Sequence, residues 1–397
     1  MDQIPDWSRA VRAHLLPLPA ARRRLMETSG NGQFLGQARD AAAGTETGTI
    51  GPEISDPGDR MSGYPVRVAS IGMGWWSDVL ADAVQRTPKL QIVSCYSRSR
   101  EKREVFAGQY GCRPASDYEE IFADPSIEGI INTTPNHVHL ETTRAAARAG
   151  KHTFLEKPIA HTIADGRAIT RACAEAGVVL SVGYQRRRES HFRWIRRAID
   201  AGRFGRLVQA EGNISRDRLG RTDLNSWRYQ AEAMPGGVML QIGIHYTDVL
   251  EYLLGPIVAV SARAAQLVLP GENADVANLL LEHEGGALSN LTASYASAAE
   301  YYMLNVYGKE ATASYNLFDG LRVLARGAKA PEAVPCEKND TLVEELEEFA
   351  DCVRGKARPE MDGDRAIASL AVIRAGVRSA REGRRVEMRE ILASRDE

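Results

Sequence analysis

Two side chains in this sequence have the types and setting to move a proton beside a ligand. The first is His245, in the run GGVMLQIGIHYTD at residues 236–248. Gln241, His245 and Asp248 fall there at i, i+4 and i+7, which puts all three on one face of a helix. The pair Gly236-Gly237 lets backbone approach a ligand closely. A plain reading stands beside this one: a histidine in so apolar a run can be a buried neutral ring satisfied by one hydrogen bond. The second candidate is Lys157, in Glu156-Lys157-Pro158, where proline holds the lysine in an extended conformation. An ammonium there can polarise a substrate hydroxyl while His245 exchanges the proton, with a pKa near the ordinary histidine value of about 6.5, moved somewhat by burial and by Lys157. His137-x-His139 is a poor metal pair, because no third ligand stands nearby, and no metal is expected.

Groups so far apart in sequence need a scaffold to meet. Short β-rich runs at Val66–Ile71, Gln91–Tyr96, Gly129–Asn132, Thr153–Leu155 and Val178–Val182 alternate with helical stretches, which implies a parallel sheet covered by helices. A helix is expected over His191–Ala201. The rhythm then changes to longer strands at Leu207–Ile214, Val258–Leu267, Val276–His283, Ala287–Ser294, Tyr302–Tyr307 and Thr312–Asn316, interrupted by the helix that carries His245. The fold class is therefore α/β: an N-terminal Rossmann parallel sheet, then an α+β domain with a large, mostly antiparallel open sheet. The expected boundaries are 63–188 for the first domain, 189–335 for the second, and 336–397 for a helical tail that packs back on the first. Residues 1–62, rich in Gly, Thr, Ala, Asp and Pro without a period, are expected to lack fixed structure.

The first strand runs into Gly72-Met73-Gly74-Trp75-Trp76-Ser77. Glycines there permit a tight turn against a helix N-terminus, whose free N–H groups and dipole favour a pyrophosphate. The third glycine of the usual pattern is Ser77. At the end of the second strand Ser97-Arg98 stands where NAD-specific folds offer a carboxylate to the ribose, and the first acid is Glu101. That favours NADP over NAD.

Thr133-Thr134-Pro135-Asn136-His137 after the fourth strand, Glu156-Lys157-Pro158 after the fifth and the Gly-Gly…His245…Asp248 run together resemble the Gfo/Idh/MocA oxidoreductases over roughly Val66 to Val386. The resemblance implies a lysine beside the nicotinamide at Lys157, a catalytic histidine at His245, and a cofactor-cleft wall at Thr134–His137. It implies as well an open sheet used for oligomerisation, hence a homodimer or homotetramer. Many members carry aspartate where this chain has Gln241, and an amide can orient a hydroxyl but cannot take its proton. On the substrate side Arg187, Trp227 and Arg228 join Gln241 and His245. Arginines also crowd Arg186–Arg188 and Arg216, Arg218 and Arg221. Most are expected to form a solvated face, although an Arg fork suits a carboxylate, so an acidic substrate stands beside neutral sugars and cyclitols.

The expected activity is hydride transfer between a nicotinamide and a secondary alcohol or ketone of such a ring. A redox-assisted glycosidase and a non-catalytic nucleotide sensor are the rivals. A formal charge of -2, from 50 basic and 52 acidic residues, supplies no field for nucleic acid. No apolar run is long enough to cross a membrane. Five scattered cysteines without a CxxC pair fit a reducing cytoplasm.

Overall fold

The computed structural model describes residues 63–219 and 226–394, apart from the Arg228 side chain. The expectation for residues 1–62 lies outside them, as does Arg221.

Six strands form the first sheet: β1 (Val66–Ile71), β2 (Leu90–Tyr96), β3 (Arg113–Pro114), β4 (Gly129–Asn132), β5 (His152–Glu156) and β6 (Leu180–Gly183). All neighbours run parallel, in the order β3-β2-β1-β4-β5-β6. Helices cover both faces, so β4 is buried along its whole length and β1 at every position but Arg67. That is why these strands read as continuous apolar runs rather than as alternation. The order reverses between β1 and β4, and in open α/β sheets the crevice beyond the carboxyl ends at such a point receives ligands.

Among the described residues the second sheet has nine strands: β7 (Leu207–Asp217), β8 (Ile257–Ala265), β9 (Val276–His283), β10 (Leu288–Ser294), β11 (Ala296–Gly308), β12 (Ala311–Asn316), β13 (Gly320–Ala325), β14 (Glu332–Val334) and β15 (Val386–Glu387). They lie in the order β14-β13-β12-β11-β7-β10-β9-β8-β15, antiparallel except for β7 beside β10. Its central strands are β7 (Leu207–Asp217), β10 (Leu288–Ser294) and β11 (Ala296–Gly308), the first and last longer than their apolar runs suggest. One face packs on α7 (Ile244–Leu254) and α9 (Gly363–Glu382). On the other face Leu280 and Leu288 stand among Asn278, Asn290 and Glu211. The outer strands β13 (Gly320–Ala325) and β14 (Glu332–Val334) were not expected, because so few of their residues are buried that no alternation shows.

The tail helices diverge. α8 (Thr341–Val353) puts Leu346, Phe349 and Ala350 into the core that holds Val66, Leu80 and Phe154 of the first sheet layer. α9 instead lies between α5 (Ile163–Glu175) and β8 (Ile257–Ala265), joining the two sheets. Among the described residues no helix is long and apolar enough to cross a membrane.

Candidate active site

Between the carboxyl ends of β1, β4 and β5 and the second sheet lies a cleft of about 210 Å³. The turn after β1 forms one wall. Gly72 has φ +87°, and a Cβ there would stand 2.6 Å from the Thr134 nitrogen, so only glycine lets this turn pass so near the loop after β4. Thr133 Oγ1 fixes the same approach by donating to the Gly72 oxygen at 2.6 Å. Ser77, in the place of the usual third glycine, has its own local task. Its hydroxyl accepts from the Gly74 N–H at 2.9 Å and donates to the Gly74 oxygen at 2.6 Å, closing the first turn of α1 (Trp75–Gln85). Trp75 and Trp76 line the cleft beyond it.

The loop after β4 brings Thr133, Thr134 and Asn136 to the cleft, and Pro135 lies between them. His137 is exposed and is not among the lining groups. His139, at the start of α4 (His139–Arg148), is fully buried and bridges two loops. Its Nδ1 lies 3.0 Å from the Pro158 oxygen and its Nε2 2.9 Å from the Thr134 oxygen. Burial pushes its pKa down to about 4.

Glu156 and Lys157 enter from the end of β5, and the Lys157–Pro158 peptide is cis. Lys157 Nζ donates to the Gln241 main-chain oxygen at 3.1 Å and lies 4.0 Å from Glu156 Oε1. Gln241 belongs to a π-helical turn, Met239–Gly243, that runs directly into α7. Such a wide turn is frequent at functional sites and breaks the 3.6-residue phase. The expected common face of Gln241, His245 and Asp248 is formed only in part. Gln241 and His245 line the cleft, and Asp248 is buried against Arg187. Gln241 Oε1 accepts from the Tyr295 hydroxyl at 2.8 Å. The ring of His245 is 6% exposed and its Nδ1 has no hydrogen-bond partner among the described residues. Burial, with Lys157, Arg186 and Arg216 around it, holds its pKa well below the ordinary histidine value. The expected titration near 6.5 is overturned for that reason.

Residues 66–184 match the oxidoreductase family with an NAD-binding Rossmann fold, and residues 192–314 match the GFO/IDH/MocA C-terminal domain. The chain belongs to the Gfo/Idh/MocA oxidoreductases. It is 31% identical to D-apiose dehydrogenase of Paraburkholderia graminis over 82% of this chain and 90% of that one. It is 27% identical to 1,5-anhydro-D-fructose reductase of Ensifer adhaerens over 75% and 91% of the two chains. A crystal structure of a protein named as an NADPH-dependent oxidoreductase from Desulfitobacterium hafniense superposes with a TM-score of 0.79, at 33% identity, over 83% of this chain and 99% of that one. The Gfo/Idh/MocA chain described here is thus an oxidoreductase with an NAD-binding Rossmann domain, in a family of sugar and cyclitol dehydrogenases.

Two expectations for this Gfo/Idh/MocA member are corrected, one on the arginine run at Arg187 and one on the Gly236-Gly237 pair. Arg187, expected at the substrate, turns away from the cleft: Nε donates to Asp248 Oδ2 at 3.0 Å, Nη2 donates to Oδ1, and Nη1 lies 3.7 Å from Glu360. Its neighbour Arg186 lines the cleft instead. Nor is this arginine run a solvated face, because Arg187 and Arg188 are buried and Arg188 pairs with Glu348 at 2.9 Å. The pair Gly236-Gly237 admits protein rather than ligand, since a Cβ on Gly237 would lie 2.5 Å from the Ala274 oxygen and one on Gly236 2.6 Å from Val377. Trp227 does line the cleft. Ser97 and Arg98 stand at the end of β2, outside it, with Arg98 exposed. Reading the sequence missed Tyr229, Met234 and Tyr295, which border the cleft from loops and a strand end that carry no motif.

Proposed function

We propose that this enzyme oxidises a secondary alcohol of a sugar, cyclitol or related ring, or reduces the matching ketone, with Lys157 and His245 as the reacting side chains. One observation carries the reading: Lys157 Nζ, fixed on the Gln241 oxygen at 3.1 Å, shares a cleft with a neutral His245 ring whose Nδ1 has no partner among the described residues. The glycine turn fits a dinucleotide, since a Cβ on Gly74 would meet nothing within 4 Å and the space over the first turn of α1 is open to a pyrophosphate. A bound nicotinamide supplies the carbon that takes or returns hydride.

The protein's share is proton management. In oxidation the neutral imidazole takes the hydroxyl proton, as a base must be unprotonated to act. The ammonium of Lys157 offsets negative charge gathering on the substrate oxygen. Gln241, steadied by Tyr295, orients a hydroxyl and takes no proton. Trp227 completes the substrate side of this reading, and the expectation for Arg228 falls on a side chain outside those described.

The same reading favours NADP over NAD, supported by an exposed Arg98 with no ion pair among the described residues and no acid before Glu101. A cytoplasmic homodimer or homotetramer is in keeping with five free cysteines and with Leu280 and Leu288 on an open sheet face. The test is net reduction of NAD or NADP with a panel of sugars, inositols and aromatic diols. Hydrolysis of a glycoside with no accumulated reduced cofactor would turn the assignment to a redox-assisted glycosidase, and binding without any turnover to a sensor.

A further inference from the structure

The substrate side of the cleft is basic. Its lining holds Lys157, Arg186, Arg216 and Arg218 against one carboxylate, Glu156, among the described residues. Arg186 is engaged, with Nη1 donating to Glu189 Oε1 at 3.0 Å and the guanidinium 4.4 Å above the Tyr302 ring. Arg218 lies 5.8 Å from the centre of Tyr295. Arg216 lies 5.8 Å from the centre of Tyr302. Its Nε is buried with no hydrogen-bond acceptor among the described residues, and the nearest carboxylate oxygen, on Glu300, is 4.0 Å away. A buried charged donor without an acceptor carries the full cost of its lost hydration, so such an N–H is expected to meet an acceptor in the working complex.

Placement identifies the source of that acceptor. Arg216 is carried near the end of β7, in the second sheet, whereas the pyrophosphate seat is at the start of α1 in the first. Around it Trp227, Tyr229 and Tyr295 supply flat apolar surface, with Tyr229 and Tyr295 centred 6.4 Å apart. We propose that the substrate is a ring bearing a carboxylate, received by Arg216 with Arg186 and Arg218 beside it. A guanidinium fork matches a carboxylate with two parallel hydrogen bonds, which a neutral hydroxyl cannot do. The proposal rests on the dehydrogenase reading and specifies its substrate class. It also fits the proton step: a carboxylate among these cations lowers the cost of a proton on His245, so the acidic substrate makes its own oxidation easier.

The experiment pairs acidic with neutral rings, D-galacturonate against D-galactose and quinate against myo-inositol, on enzyme loaded with NAD or NADP. Binding is read from quenching of tryptophan fluorescence and turnover from nicotinamide reduction. The expected result is that the acidic member of a pair binds about tenfold or more tightly, the worth of one charged hydrogen bond. Arg216→Gln should erase that preference and leave dinucleotide affinity within about twofold, and Arg216→Lys should retain part of it. Equal or better binding of the neutral member in both pairs overturns the proposal. So does an equal loss of dinucleotide affinity in Arg216→Gln, which would assign the guanidinium to the cofactor. Acid-selective binding without turnover of any compound leaves the carboxylate seat standing and removes the dehydrogenase reading; turnover of neutral rings alone does the reverse.

Discussion

Lys157 Nζ donates to the main-chain oxygen of Gln241 at 3.1 Å, which ties the lysine after β5 to the π-helical turn ahead of α7. Each domain thereby fixes the other's contribution to the cleft. Lys157→Met keeps the length of the side chain and removes both the charge and the tie. It should cut kcat/KM by about 100-fold or more, roughly 2.7 kcal/mol of transition-state stabilisation. Dinucleotide affinity, measured by titration, should change little. Near-normal turnover in the variant would take Lys157 out of the mechanism.

His245 should shape the pH profile from well below the ordinary value. Its pKa is lowered by burial and then by Lys157, Arg186 and Arg216, so the competent neutral base is present above that low pKa and is lost only as pH falls through it. For oxidation, kcat/KM should hold flat from about pH 8 down past 6.5, where an unperturbed histidine would already have reduced it. Gln241→Asp brings an anion to the same cleft and should move the acid limb to higher pH. A wild-type limb at or above the ordinary histidine value, or one that survives His245→Ala, would assign the proton to another group.

Arg187 should matter to folding and not to substrate. Removing one partner of a buried pair strands the other charge, which costs about 3–5 kcal/mol. Arg187→Met should therefore lower the denaturation midpoint strongly while KM of the folded enzyme stays near wild type. A KM that rises with unchanged stability would restore Arg187 to the substrate.

Arg98 is the test of cofactor choice. An exposed guanidinium at the end of β2 can favour a 2′-phosphate, so Arg98→Ala should raise Kd for NADP and leave that for NAD nearly constant. Equal loss for both dinucleotides would show that the side chain does not reach the phosphate.

His139 adds a pH-dependent share of stability. Its pKa is about 4 in the folded chain against 6.5 for an ordinary histidine. The unfolded chain therefore takes up the proton first, and stability that is whole above 6.5 is lost progressively as pH falls toward 4. The share is about 3 kcal/mol at most. In thermal melts His139→Gln should be less stable than wild type at neutral pH, with the gap narrowing on acidification. A gap that is constant across that range would deny the histidine this role.

Much of this was legible in the sequence because burial writes itself into periodicity. β1, β4 and β9 (Val276–His283) run over the very residues of their apolar stretches, since each has an apolar environment on one or both faces. The outer strands β13 and β14 were not legible, because a strand with few buried side chains selects for little. At the site, the residues fixed by backbone motifs were readable: Gly72, Thr134, Lys157 and His245 all follow strands or glycine runs. Direction of side chains was not. Nothing in Gln185-Arg186-Arg187-Arg188 says which arginine faces the cleft, because the choice is made by Asp248 and Glu360 on distant elements. The π-helical turn was hidden for a related reason: a single wide turn leaves the sequence pattern of a helix intact.

The two oxygens that face the His139 ring, at 3.0 and 2.9 Å, cannot both receive a hydrogen from it. A neutral imidazole owns a single N–H, so one tautomer serves Pro158 and the other serves Thr134. The segment that presents Lys157 and the segment that walls the cofactor crevice are rivals for one hydrogen. Fastening one leaves the other carbonyl facing a lone pair, and a tautomeric exchange inside a sealed core transfers the grip from one loop to the other with no heavy atom needing to move.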